Sequence, residues 1–505
     1  MARTWAEIQK LGLTDAEKRL VECCKAGKEC RLGDERPEGP SEERTIRAEV
    51  LRYLILGGCE DCRVYEKGVW LKGAWIVETL DLSFCQARGI TALLDCEFQG
   101  GANFQQTRLN FLTLNRSRAS SANLEGASVD AHILLREFSS DSGVNLRNVR
   151  VEGNIELDGA KLQNTKGYAL NLEGAQINGD LYLRYGFSAK GEVNIKSSEI
   201  EGQVDCQRGN FTKERGIAFN FQSAFVKRSF LFRDATIGDG RLDFASAHVG
   251  DLVDDLESWP ISGRNYLNGF TYDKIGGKFT AVNSRLEWLS RGTVWKGEFH
   301  PQPYTHLAKV YRSMGRDADA RKVLIERNRL LAQHQRDKII HAPGVLSYQW
   351  LNIFWLWLSD LTMNKLVGYG FAPFRSLGWL FGLWLFAITL AHFAWTEGSM
   401  VPNSDVILTS ADWQAYESRT HAGEDWAAAT APGQDWETFH PLAWGADLVI
   451  PILDLGQTQA WAPSTARGPV GRTLWWAQWF LEAAGWIVAG LFAAAVTGII
   501  RKDDD

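Results

Sequence analysis

The chain opens without an apolar run. Met1-Ala2-Arg3-Thr4-Trp5-Ala6-Glu7 has nothing of a secretory signal, so the front of the protein is expected to stay in the cytosol. Cysteine is scarce and unevenly placed: all eight, Cys23, Cys24, Cys30, Cys59, Cys62, Cys85, Cys96 and Cys206, fall in the first half. In a reducing compartment they read as free thiols or metal ligands, not disulfides. There is no surplus of positive charge. With 55 Lys and Arg against 61 Asp and Glu, the net charge of −6 argues against nucleic acid as the main partner, because phosphate binding needs a concentrated basic surface. Histidine numbers nine. His300, His306, His334 and His341 fall close together with no identifiable acid partner, so no catalytic triad is assigned. No Gly-x-Gly-x-x-Gly joins a strand to a helix, and no cofactor is assigned.

What the chain does have is tryptophan, 21 in all, crowded into the last third from Trp350 to Trp486. Trp favours the boundary between lipid and water, so the clustering points to a membrane. At 505 residues, two or three domains are expected.

The first half is a repeat. Apolar pairs separated by one position recur at Val144/Leu146, Ile155/Leu157, Leu170/Leu172, Leu181/Leu183, Val193/Ile195, Val204/Cys206, Phe219/Phe221, Phe230/Phe232 and Leu242/Phe244. Successive steps alternate so that two coils repeat every 49 residues, from 144 to 193 to 242. Earlier pairs at Val69/Leu71, Leu80/Leu82 and Ile133/Leu135 extend the pattern. Each pair reads as a short strand with alternate side chains pointing inward. Gly and Ala at the corners permit sharp bends. No coil buries its inner face alone, but a stack shares one core. The period predicts a parallel β-helix solenoid over 69–255, with roughly 8 coils of ~4.8 Å, near 40 Å long.

An N-terminal helical cap over 1–60 is expected, with helices at 14–25 and 41–56 sealing the open end. A helical hairpin is expected over 300–338, broken at Gly315. Residues 345–362 read as an interfacial helix, interrupted by Gln349 and Asn352, with Trp350, Trp355 and Trp357 at headgroup level. A third span is its alternative.

Two transmembrane helices are expected at 374–396 and 474–500. The first has 19 uncharged residues over 377–395, about 28 Å at 1.5 Å per residue, enough for a bilayer core. The second holds a single charge, Glu482. The acidic extracytoplasmic loop, 397–473, carries ten acids and three bases, while Arg375, Arg501 and Lys502 flank the spans. The positive-inside rule puts both termini in the cytoplasm. The fold class is therefore mainly β plus membrane α.

Ala102-Asn103-Phe104 and Ala122-Asn123-Leu124 resemble the Ala-Asp/Asn-Leu-x-x unit of pentapeptide-repeat proteins. The stretches Gly167-Tyr168-Ala169-Leu170-Asn171-Leu172-Glu173-Gly174-Ala175, Gly191-Glu192-Val193, Pro303-Tyr304 and Leu453-Asp454-Leu455-Gly456-Gln457 resemble a group of functionally uncharacterised bacterial two-span membrane proteins. That resemblance implies a bacterial inner-membrane location.

Four groups of residues are candidates for chemistry. Cys24, Cys30, Cys59 and Cys62 could hold zinc as four thiolates, and Cys59-Glu60-Asp61-Cys62 could be a redox pair; ordinary thiols are the plainer reading. Glu482 and His392 sit at comparable depth in the two spans, as an intramembrane polar pair or as groups snorkelling to the outer surface. The apolar stretch 440–457 reads either as a pore loop, with Asp447 and Asp454 as acidic rings, or as an amphipathic outer-surface helix. Arg184 and Arg233, one 49-residue unit apart, mark a face that could meet anionic lipid or an acidic protein; a solvated face interleaved with Glu173 and Glu192 is the plainer reading. Small residues Gly378, Gly382, Gly490, Ala494 and Gly498 allow close helix packing, within the chain or between copies.

The leading expectation is a membrane-tethered, non-enzymatic β-helical scaffold or sensor that binds a protein partner or signal. The alternative is an oligomeric two-span ion channel gated by its cytoplasmic domain. An enzyme or metal protein using the N-terminal cysteines comes third.

Overall fold

A computed structural model of the chain describes residues 4–261, 263–295, 297–340 and 349–500. It consists of two units, Met1–Val323 and Leu324–Asp505. The first is a parallel β-solenoid with helices after it.

Each coil has four sides, not the two that the apolar pairs mark. In the coil at 122–143 the inward pairs are Ala122/Leu124, Ala127/Val129, Ile133/Leu135 and Phe138/Ser140, all buried. One side carries successive parallel rungs at Leu80, Ala102, Ala122, Val144, Leu170, Val193, Phe219, Leu242 and Asn265. Nine rungs at ~4.8 Å span about 38 Å. Stacking shields the interior from water along its whole length, and the packing changes along the rod. Early coils are lined by Leu, Ala and Val. Later ones stack Phe219, Phe221, Phe230, Phe232 and Phe244, with ring centroids 5.1–6.2 Å apart.

One corner explains how the chain turns so sharply. Phe84, Gln106, Gly126, Asn148, Gly174, Ser197, Ser223, Ser246 and Gly269 occupy it in successive coils, all with φ between 53° and 81°. This left-handed conformation favours Gly, and the non-glycine residues hold it only because the stack dictates the bend. Beside it runs an amide ladder. Asn103 donates to Asp81, Asn123 to Asn103, Asn145 to Asn123, Asn171 to Asn145 and Asn194 to Asn171, at 3.0–3.2 Å. Each Asn oxygen also accepts the backbone N–H two residues on, as with Arg147 on Asn145 at 3.3 Å. The ladder ties neighbouring coils and fixes the turn together.

The solenoid is longer than 69–255. Its first rungs are Cys30–Arg31, paired with Leu71 and Lys72, and Thr45–Arg47, paired with Trp75, Ile76 and Val77. It ends at Thr271–Ile275. The expected helix at 41–56 is therefore shorter: β-branched Thr45 and Ile46 join the sheet, and only Ala48–Ile55 is helical. Helices α1 (Trp5–Lys10), α2 (Asp15–Ala26) and α3 (Ala48–Ile55) precede or interrupt the first coil, and the latter two pack on it. Glu17 is fully buried there and binds Arg47 at 2.8 Å. At the far end, α4 (Val282–Ser290) inserts Trp288 against Trp259, and Arg285 pairs with Asp254, both fully enclosed, at 2.9 Å. Then come α5 (Gln302–Ser313) and α6 (Asp317–Ile340), separated at Gly315, whose φ is 73°.

In the second unit, α7 (Gln349–Thr362) coincides with most of the expected interfacial helix; residues 345–348 of that expectation lie outside the described residues. Its 14 residues cover about 21 Å, short of a ~30 Å bilayer core. Trp355 and Trp357 are exposed on it. Among the described residues, two helices are long and apolar enough to cross a membrane, α8 (Arg375–Thr396) and α10 (Pro469–Val496), with mean hydropathy 1.7 each. Between them lies α9 (Pro441–Val449).

Candidate functional site

The second unit holds the arrangement richest in consequence. α9 is packed against the centres of both long helices. A Cβ on Gly445 would sit 3.1 Å from Ile388 and 3.4 Å from Ala387, so α9 meets α8 almost backbone to backbone. Any side chain at Gly485 would collide with the Val449 carbonyl, so α10 meets the last residue of α9 equally closely. Ala387, Val449 and Leu481 form one small buried cluster. The Trp384 indole donates to the Leu442 carbonyl at 3.0 Å. Trp384, Ala387 and Ile388 lie midway along α8, and Leu481 and Gly485 midway along α10. Within the stretch 440–457, α9 is thus docked at the midpoints of two apolar helices.

After Val449 the chain leaves helical conformation, turns at 450–453 and returns through Gly456, whose φ is 70°. On this turn Ile452 is 88% exposed, and Leu453, Asp454 and Leu455 are exposed too. The two aspartates differ. Asp447 is committed to holding the turn shut: it accepts from the Leu455 N–H, the Thr458 N–H and the Thr458 hydroxyl, each at 2.8 Å. Asp454 is exposed at the tip and, among the described residues, accepts from Gly456 and Gln459 at 3.3 Å. Of the pair, Asp454 alone has a carboxylate facing away from the protein.

A compact base holds this end of the helices together. Trp395, Phe439, Trp444 and Trp461 pack as a cluster, and the Trp444 indole donates to the Trp461 carbonyl at 3.0 Å. Glu397 accepts from Val470 and Gly471, at 3.1 and 3.2 Å, capping the start of α10. Neither close glycine approach nor this cap was singled out from the sequence. A glycine inside a short apolar helix was the available signal for Gly445.

His392 and Glu482 are both exposed on the sides of α8 and α10, and among the described residues no hydrogen bond or ion pair joins them. They do not form a pair within one chain.

In the first unit the four cysteines lie on three different elements, with Cys24 near both Cys30 and Cys62. Cys24 is buried on α2, Cys30 is a solenoid rung, and Cys59 and Cys62 face each other across a two-residue hairpin turn. Among the described residues no group of three or more Cys, His, Asp or Glu side chains is placed to hold a metal, so the four-thiolate zinc site does not assemble. The hairpin sits beside Tyr53, whose hydroxyl donates to Cys59 Sγ at 3.0 Å. That donation holds the Cys59 thiol below its ordinary value, whereas burial raises those of Cys62 and of Cys24, the latter to about 12.

Arg184 and Arg233 stand on the same side of the solenoid, in line through Val204 and Phe230. Arg184 is not free to meet an external anion. It binds Asp158 at 3.1 Å and Asp205 at 3.0 Å and lies over the Tyr182 ring at 4.0 Å. Its charge is neutralised between coils.

Fold and site define a class: a parallel β-solenoid joined to two helices apolar enough to span a membrane, with a short helix docked between them. No family model, curated protein or solved structure matches the chain.

Proposed function

We propose that the protein is an oligomeric two-span membrane pore whose β-solenoid serves as its cytoplasmic sensing or docking domain. One observation carries this reading: a non-helical turn, residues 450–456, exposes Ile452, Leu453, Asp454 and Leu455 next to the mid-depth of α8 and α10. In a bilayer, irregular backbone at that depth is tolerated only where protein covers it or where it lines water. One chain does neither, and symmetric copies around an axis do both. Asp454 then contributes a ring of carboxylates facing the path, which favours cations.

The surfaces of α8 and α10 agree with lipid around them. Only 17% and 22% of their apolar windows are buried, and Phe381, Trp479, Phe480 and Ile487 point outward. The acidic segment between the spans and Arg375 at the start of α8 support a cytoplasmic side for both termini, and the resemblance to bacterial two-span proteins supports an inner-membrane location. The solenoid then offers a long rigid face to a protein partner or signal. Without a pore, the same architecture is a tethered scaffold, and the exposed turn is its self-association surface.

The test is cation flux in liposomes holding the full chain, together with its mass in mild detergent. A stable oligomer with flux that Asp454→Asn reduces several-fold and Glu482→Gln leaves alone supports the pore. An oligomer without flux leaves the scaffold, and a monomer ends both readings of the turn.

A further inference from the structure

The hairpin at the start of the solenoid carries a second chemistry, independent of the membrane unit. Gly58–Cys59 pairs antiparallel with Cys62–Arg63, and Cys59 and Cys62 are direct cross-strand partners. Such partners have Cα atoms about 4.5–5.5 Å apart and side chains on one face, inside the ~4.4–6.8 Å window that a disulfide needs. Gly58 makes the turn possible: its φ is 68°, and any side chain there would collide with the Cys62 carbonyl. The two sulfurs differ in access. Cys59 is partly exposed, and Cys62 is fully buried.

Each sulfur has its own polar neighbour. The Tyr53 hydroxyl points at Cys59 Sγ from 3.0 Å, and the Trp5 ring stacks on Tyr53 at 6.2 Å, fixing its orientation. The Lys25 ammonium lies over Trp5 at 5.2 Å and close enough to Cys62 to favour its thiolate against the effect of burial. An accessible thiol with a hydroxyl donor, backed by a sheltered thiol beside an ammonium, is the division of labour of a dithiol that exchanges with disulfides.

We propose that Cys59 and Cys62 form a redox-active dithiol that reduces small disulfides, Cys59 attacking and Cys62 resolving. The Cys59 thiolate attacks one sulfur of RS–SR; the S–S bond breaks, Cys59–S–S–R forms and RS⁻ leaves. The Cys62 thiolate then attacks Cys59 Sγ, the mixed disulfide breaks and a second RS⁻ leaves. The protons released by the two thiols pass to the two RS⁻. The protein loses two electrons to become the Cys59–Cys62 disulfide, and the incoming disulfide gains two to become two RSH. Tyr53 is a positioning residue that stabilises the attacking sulfur.

Oxidised glutathione serves as the probe, on the full chain in mild detergent, with peptide mass mapping over residues 58–63. The native protein is expected to acquire an internal disulfide and retain no glutathione there. Cys62→Ser is expected to trap glutathione on Cys59, and Cys59→Ser to acquire neither. Tyr53→Phe is expected to slow the attack several-fold at pH 7 and to lose that deficit at pH 10, where the thiol ionises unaided; a merely structural tyrosine leaves the rate ratio independent of pH. Circular dichroism of each variant reports whether the solenoid is intact. Stable glutathione on Cys59 of the native protein overturns the proposal, as does glutathione reaching Cys62 equally fast in Cys59→Ser.

Discussion

The two units handle polar backbone and apolar side chains in opposite ways. In the solenoid the hydrogen bonds of each coil go to the neighbouring coils, a whole turn of chain away, and the apolar side chains vanish inside. In α8 and α10 the backbone bonds stay within the helix apart from the Glu397 cap on the first turn of α10, and the large side chains Phe381, Phe386, Trp479 and Phe480 face out. The first solution needs water outside and a dry interior. The second suits an environment that offers no hydrogen bonds, as a bilayer core does. One chain thus carries the marks of two solvents, and the change falls where the tryptophans begin to crowd.

The sharpest way to break the contrast is in the solenoid's buried charge. Asp254→Ala leaves the enclosed Arg285 guanidinium without its carboxylate, with the Phe279 carbonyl and the Phe279 and Trp288 rings as its remaining partners among the described residues, and should cost about 3–5 kcal/mol in urea unfolding followed by circular dichroism. A loss under 1 kcal/mol means that the pair is solvated. Next comes a matched pair of truncations. Leu157→Ala, at a fully buried rung, should cost about 2–5 kcal/mol, whereas Phe381→Ala, 55% exposed on α8, should change stability in detergent by under ~0.5 kcal/mol. Equal costs at the two sites erase the distinction between the units.

The amide ladder predicts a smaller effect. Asn145→Ala removes its bonds to Asn123 and Asn171 and the N–H acceptor for Arg147, and about 1–3 kcal/mol should go. Acid probes the same solenoid at its far end. His306 Nε2 accepts the Tyr272 N–H at 2.8 Å, and burial holds its pKa below the ordinary value. The fold favours the neutral ring, so its contribution is complete above about pH 6.5 and is lost as pH falls below that. Amide exchange at Tyr272 should quicken there in the native protein and stay flat in His306→Gln. The smallest change expected is a gain. Ser246→Gly at φ 55° relieves a left-handed residue and should raise stability by about 0.5 kcal/mol.

Only two of the solenoid's four sides were legible in the sequence, and the reason is chemical. On the other two, inward positions are often small or polar, as at Thr107, Ser117 and Ser140. Their hydroxyls donate to carbonyls of neighbouring coils, Thr107 to Leu82 at 2.7 Å and Ser117 to Leu93 at 2.9 Å. A polar residue satisfied in this way looks like surface in an apolar pattern. The 49-residue period survived because Leu, Val and Phe alternate cleanly on the visible sides. The first coil escaped notice because α3 interrupts it between Arg47 and Gly58. In the second unit the two long helices announced themselves by hydropathy. The docking of α9 did not, because it rests on the missing side chains of Gly445 and Gly485, and composition cannot show what a glycine is next to. The cysteine pair was visible as spacing; Tyr53 beside it was not, since it arrives from a helix six residues upstream.

The closures at the two ends of the coil stack bear on how copies of this protein can meet. A bare terminal coil presents a row of unpaired amides and carbonyls onto which another chain could add, and the product would be a growing fibre. With α2 and α3 over one end and the Trp259–Trp288 plug at the other, head-to-tail polymerisation is blocked. Any contact between solenoids is then left to their lateral faces.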